Sequence, residues 1–128
     1  MCIFCDGLKD EQIIYETKHF KIVFDINPEQ AGHLLLISKA HYMNYLELPD
    51  DIALDLIQLE RKMIHILENE MNIYGVSLIR NNGRVMDEGT HFHEHVIPRY
   101  KGDNFWSDKK TKLMSFDLAL FLSLLQPK

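Results

Sequence analysis

His91-Phe92-His93-Glu94-His95-Val96-Ile97-Pro98 places three imidazoles at strict two-residue intervals. Alternate side chains of a β-strand share a face, so this spacing predicts a strand that presents His91, His93 and His95 together. A strand built only for packing seldom uses histidine three times in line. Imidazole is the side chain whose charge changes nearest neutral pH, and such a row offers a nucleophile, a hydrogen-bond donor and a metal ligand to one pocket.

Working outward, Gly75 precedes the apolar run Val76–Arg80, which ends in Asn81-Asn82-Gly83, and the segment from Arg84 to Thr90 leads into the histidine strand. Pro98 is expected to close that strand, with Lys101-Gly102-Asp103-Asn104 as loop. Nearer the N-terminus, Ile13–Glu16 and His19–Asp25 read as a hairpin, the second strand alternating Phe20, Ile22 and Phe24 against His19, Lys21 and Val23. Residues 27–32 are loop chemistry. The bounded apolar run His33-Leu34-Leu35-Leu36-Ile37 then suits a strand covered on both faces. From Asp50 the spacing becomes helical, with Leu56, Leu59, Met63 and Ile66 on one stripe and Asp50 or Asp51 placed to cap. It predicts one long helix over 50–72. Phe116–Leu125 reads as a short apolar helix that needs a surface to cover. The isolated His19 and His65 read as ordinary strand and helix residues.

A chain of 128 residues, 46% hydrophobic and 26% charged, is sized for one domain over residues 1–128 with a real core. A formal charge of −5 argues against duplex nucleic acid as a partner, because phosphate backbones are held by clustered Lys and Arg. A small anionic ligand stays compatible. The N-terminus lacks a secretory signal, and no run approaches the roughly 18 apolar residues of a membrane span. The expectation is a cytoplasmic protein with no membrane partner. Its two cysteines, Cys2 and Cys5, point in a reducing compartment to a metal pair or a redox pair before a structural disulfide, with ordinary thiols as the alternative.

Together these residues resemble the histidine-triad (HIT) family of nucleotide hydrolases and transferases. Its His-x-His-x-His signature stands here as His91, His93 and His95, followed by Val96-Ile97. The likeness covers nearly the whole chain, since Phe24-Asp25-Ile26-Asn27-Pro28, Gly32-His33, Ser38-Lys39-Ala40-His41, Asn81-Asn82-Gly83 and Ile97-Pro98-Arg99-Tyr100 fall in family order. The resemblance implies an α+β fold: an antiparallel sheet of about five strands, one long helix and a short C-terminal helix. It also implies a homodimer.

The implied chemistry is attack by His93 on the α-phosphorus of an adenosine-type dinucleoside polyphosphate or phosphoramidate. A nucleotidyl-histidine intermediate forms, and water or another acceptor resolves it. A neutral imidazole attacks well when its other ring nitrogen is held by an acceptor, a task the family gives to a backbone carbonyl. His95 and His33 would donate to phosphate oxygens, partly replacing the divalent cation of other phosphoryl-transfer enzymes. Asp25 would accept from ribose hydroxyls. Ile26 and its apolar neighbours would form the cleft for the base, and Asn81, Gly89 and Thr90 would stand on the phosphate side.

One branch of the family binds a structural zinc, and the positions of its ligands match Cys2, Cys5, His41 and His91. Two thiolates and two imidazoles make a closed tetrahedral shell that braces the fold and pins a terminus otherwise prone to fray. No organic cofactor is implied. Two departures stand out. Met86-Asp87-Glu88-Gly89-Thr90 replaces the usual Gly-Gln-Ser or Gly-Gln-Thr run, and its carboxylates would repel a long polyphosphate, which favours a shorter or less charged leaving group. Glu94 stands where the family is usually apolar; a buried unpaired carboxylate is costly, so Arg84, Arg99 or a solvated edge is expected beside it. Two other readings remain. One is a zinc-stabilised nucleotide-binding or signalling module with little turnover, and the other takes His-x-His as ligands of a catalytic metal.

Overall fold

The computed structural model describes residues 2–107 and 110–126. Five strands, β1 (Ile13–Glu16), β2 (Phe20–Phe24), β3 (Leu34–Ser38), β4 (Gly75–Arg80) and β5 (His93–Arg99), form one antiparallel sheet in the order β1-β2-β3-β5-β4. The helices are α1 (Ile3–Asp6), α2 (Asp50–Ile64) and α3 (Leu118–Leu125). The turn between β1 and β2 is pinned to α2, because the Thr17 hydroxyl donates to Asp55 at 2.9 Å.

The register Ile22↔Leu36↔Glu94 and Val23↔Leu35↔His95 sorts side chains onto two faces. On one, Phe20, Ile22, Leu34, Leu36 and Val96 pack against Ile52, Leu56, Leu59, Met63 and Leu67 from the α2 side. On the other, Val23, Leu35 and Ile37 are covered by Phe4 and Leu8 from the N-terminal segment. β3 is accordingly buried along its whole length, as its unbroken apolar run predicts. Because α2 occupies the first face, the histidines of β5 open onto the second.

Several local expectations are corrected. The long helix is α-helical to Ile64 and continues as a π-helix over His65–Glu70, and the widened turn brings Leu67 into the core while Ile66 is only half-buried. Pro49 holds the N-cap position; Asp50 and Asp51 make no cap and instead lie in the first turn, where they complement the helix dipole. Phe24, at the end of β2, is exposed, since the core under α2 stops at Ile22 and Leu34. Pro98 does not close β5. It pairs with Val76, beyond the last β3 partner at Val96, where the strand has a neighbour on one side only. α3 forms, with the Asp117 side chain accepting from the Leu120 N–H at 3.0 Å, yet none of its residues is buried.

Glu94 is fully buried on the α2 face, and its partner is neither Arg84 nor Arg99. Cross-strand pairing sets Arg80 opposite it, and the guanidinium donates to both Glu94 and Glu60, the latter at 2.6 Å. Glu94 Oε1 is left without a hydrogen-bond partner among the described residues. Burial, reinforced by Glu60 beside it, pushes the Glu94 carboxyl from an ordinary 4.5 up to about 8, against the pull of Arg80. The folded chain therefore holds a proton that the unfolded chain has released between those values, so stability falls as pH rises through that window. The thermal midpoint should decline between pH 5 and pH 8, and Glu94→Gln should flatten the decline; an unchanged slope in the variant would remove Glu94 as its source.

Candidate active site and metal centre

His91, fully buried just before β5, donates from Nε2 to the Ser38 carbonyl at 2.6 Å. That bond leaves the Nδ1 lone pair facing Cys2 Sγ at 3.1 Å and Cys5 Sγ at 3.5 Å, and Cys5 Sγ is 3.2 Å from His41 Nδ1. The four ligand atoms lie within 4.8 Å of one another. A tetrahedral ion with bonds of about 2.3 Å to sulfur and about 2.1 Å to nitrogen needs ligand separations of about 3.6 Å, so this set fits with small adjustment. Ser38 is the outer partner that orients a ligating imidazole. Burial lowers the pKa of His91, which keeps the ring neutral for such a bond. The segment is held as well by the Ile3 N–H, which donates to the Gly89 carbonyl at 2.7 Å.

His93 is buried between the rings of Phe4 and His95, each 5.0 Å away between centroids. Its Nδ1–H donates to the backbone carbonyl of His91 at 2.8 Å. The proton is thereby placed on Nδ1 and the lone pair on Nε2, which has no hydrogen-bond partner among the described residues. A second chain of bonds orders His95. The Glu29 N–H donates to His33 Nδ1 at 3.0 Å, so the His33 proton sits on Nε2 and is given to His95 Nδ1 at 2.9 Å. The His95 proton must then lie on Nε2, as a donor. Burial and the neighbouring His93 and His33 lower its pKa to about 4, so it donates as a neutral ring.

Asp25 Oδ2 lies 3.4 Å from His33 Nε2 and 3.8 Å from His95 Nδ1. The three groups are close enough to hold a cation. His33 tautomerism argues otherwise, because ligation through Nε2 would move its proton onto Nδ1, against the Glu29 N–H. His33 and His95 are joined by a hydrogen bond with the Asp25 carboxylate beside it, which weakens the catalytic-metal reading of His-x-His.

Asp25, His33, Asn81 and His95 line one cavity of about 730 Å³ counting its mouth, together with Asp87, Asn27, Glu29 and Phe105. Ile26 lies in an adjoining cleft with Ile3, Phe4, Leu8 and Leu35, and Asp25 borders both spaces. His93 does not itself line the histidine cavity but stands beside it, its ring 5.0 Å from that of His95; nor are Gly89 and Thr90 brought into it. They line a separate depression with Met43, Arg84 and Glu88, the Thr90 hydroxyl donating to the Asp87 carbonyl at 2.6 Å. Of the two loop carboxylates, Asp87 faces the cavity and Glu88 does not. The contact of Phe4 with His93 and the Glu29 N–H behind His33 had no sequence signal beyond lying near the cysteine pair and in the 27–32 loop.

Comparison with known proteins identifies the family. The sequence matches the HIT domain over residues 7–102. It is 39% identical over 107 residues to an uncharacterized HIT-like protein of Methanocaldococcus jannaschii, covering 80% of this chain and 82% of that protein. It is 31% identical over 102 residues to the adenosine 5'-monophosphoramidase of Saccharomyces cerevisiae, covering 77% and 62%. Among solved structures, a zinc-bound histidine triad family protein from Mycobacterium smegmatis superimposes with a TM-score of 0.68 at 28% identity, over 80% of this chain and 77% of the other. No described helix is long and apolar enough to cross a membrane. With its sheet, its three aligned histidines and these relatives in agreement, the chain belongs to the HIT family.

Proposed function

We propose that this protein, acting as one domain across residues 1–128, is a nucleotide phosphohydrolase or nucleotidyl transferase that cleaves at the α-phosphate of adenosine-type nucleotides. The observation that carries the reading is the His93 tautomer: Nδ1–H held by the His91 carbonyl, Nε2 left with its lone pair beside the donor His95. The base would lie in the Ile26 cleft and the ribose hydroxyls would donate to Asp25. The phosphate would sit among Asn81 and His95.

His93 Nε2 bonds to phosphorus as the leaving group departs with the electrons of its own bond and takes a proton from solvent. The His91 carbonyl steadies the positive charge on the ring, and His95 Nε2–H, kept in place by His33, meets a phosphate oxygen. Water then displaces the ring and restores neutral His93. The Asp87 carboxylate in the cavity disfavours long polyphosphates, so phosphoramidates, the substrate class named for the yeast relative, are the leading substrates.

Zinc at Cys2, Cys5, His41 and His91 would supply structure and no reactive site, since four protein ligands complete its shell. His91 then serves twice, with its ring toward the metal and its carbonyl on the nucleophile. Reduced thiols of this kind fit a cytoplasmic location. The uncovered apolar side chains of α3 support a homodimer, and a monomer mass in sedimentation at micromolar concentration would refute it.

Incubation with adenosine 5'-phosphoramidate and with diadenosine polyphosphates should release AMP, fastest from the phosphoramidate. Asp87 facing the cavity also favours the second reading, a binding module. Firm AMP binding without turnover on any of these substrates would establish that reading and overturn the enzymatic one.

A further inference from the structure

The apolar cleft beside Asp25 contains one side-chain amide, Gln12, at the end of the 3-10 turn Asp10–Gln12. Two reciprocal bonds fix this turn: the Gln12 N–H donates to the Lys9 carbonyl at 3.0 Å, and the Lys9 N–H donates to Gln12 Oε1 at 2.9 Å. The second bond decides the chemistry of the amide. That bond turns Oε1 back toward Lys9 and takes one of its lone pairs, while the –NH2, with two protons to give, has no hydrogen-bond partner among the described residues.

Around it the cleft is built from Ile3, Phe4, Leu8, Phe24 and Ile26, which offer surfaces to a flat ring and no polar side-chain group. The wall is held in shape, because Gly7 lies so close to Ile3 that an added Cβ would stand 2.9 Å from the Ile3 carbonyl oxygen and from its side chain. An apolar slot with one oriented donor recognises a heteroaromatic ring through a ring acceptor.

We propose that Gln12 is a specificity-determining residue: its Nε2 donates to a ring nitrogen acceptor of the purine held in this cleft. The assignment rests on the nucleotide reading above. A neutral hydrogen bond in a half-buried site contributes about 0.5–1.5 kcal/mol, or about 2- to 13-fold in affinity.

The test is equilibrium binding to the intact chain of AMP, its 1-deaza, 3-deaza and 7-deaza analogues, and ribose 5-phosphate as a probe without a base. Wild type should lose about 3- to 10-fold on one deaza analogue. Gln12→Leu should bind AMP about as weakly as wild type binds that analogue, should no longer distinguish the two, and should bind ribose 5-phosphate unchanged. If Gln12→Leu keeps wild-type AMP affinity, or retains the same deaza penalty, Gln12 does not read the base. If the wild type binds neither AMP nor ribose 5-phosphate, the nucleotide reading itself fails, a result distinct from either of those. Gln12→Glu separates donation from bulk: it keeps an acceptor for the Lys9 N–H, removes the donor, and should match Gln12→Leu.

Discussion

His93→Ala is expected to lower kcat on adenosine 5'-phosphoramidate by on the order of 10⁴-fold or more, the scale on which removal of a covalent nucleophile acts. No other side chain in the site has the same preparation. His95 spends Nδ1 on His33 and carries its proton on Nε2, while His91 spends Nε2 on Ser38 and turns Nδ1 to the cysteines. Nucleotide affinity should change by less than about 5-fold, because Asp25, Asn81 and the Ile26 cleft are untouched. Quenching a reaction with labelled nucleotide in alkaline denaturant, which spares a phosphorus–nitrogen bond that acid would cleave, should trap a nucleotidyl-protein in wild type and none in the variant. The ring is buried against Phe4, so its loss leaves a cavity, and the thermal midpoint must be measured on the same sample; His93→Gln fills more of the space and should be equally inactive. A variant that remains folded and turns over at the parental rate would place the nucleophile elsewhere.

The second large effect concerns the Cys2 and Cys5 pair. Wild-type protein purified without chelator should contain close to one zinc per chain, and Cys2→Ser with Cys5→Ser should contain almost none. Metal bound only by the folded state adds its binding free energy to folding, so the double variant should melt on the order of 10 °C lower. The loss should also be local. Phe4 and Leu8 cover the second face of the sheet, and Phe4 touches both His91 and His93, so a freed N-terminus should become sensitive to protease before the rest of the chain. Turnover should fall more modestly than in His93→Ala, since the His91 carbonyl remains on the backbone. Wild type that carries no metal as purified, and that melts no higher than the double variant even after zinc is added, would refute the zinc assignment.

Much of this was legible along the chain. Two-residue spacing put His91, His93 and His95 on one face; the unbroken run at 34–37 gave a strand buried on both sides; and Cys2, Cys5, His41 and His91 carried ligand chemistry that the fold collects in one place. Less was legible where spacing changed. The π-turn at His65–Glu70 replaced Ile66 with Leu67 in the core, and Gly89, whose carbonyl accepts from the Ile3 N–H, lines with Thr90 a depression apart from the histidines.

What residue order determined by itself was periodicity and chemical type, because a strand or helix repeats at a distance set by covalent geometry. Which nitrogen of each histidine holds its proton, that Arg80 and not Arg84 or Arg99 meets Glu94, and that Phe4 lies against His93 were decided only by tertiary structure. Each depends on groups far apart in the chain, or on carbonyls and amides whose direction exists only after β5 takes its place between β3 and β4. Burial then gives those contacts their force, since the same imidazoles and carboxylates in water would bond to solvent instead.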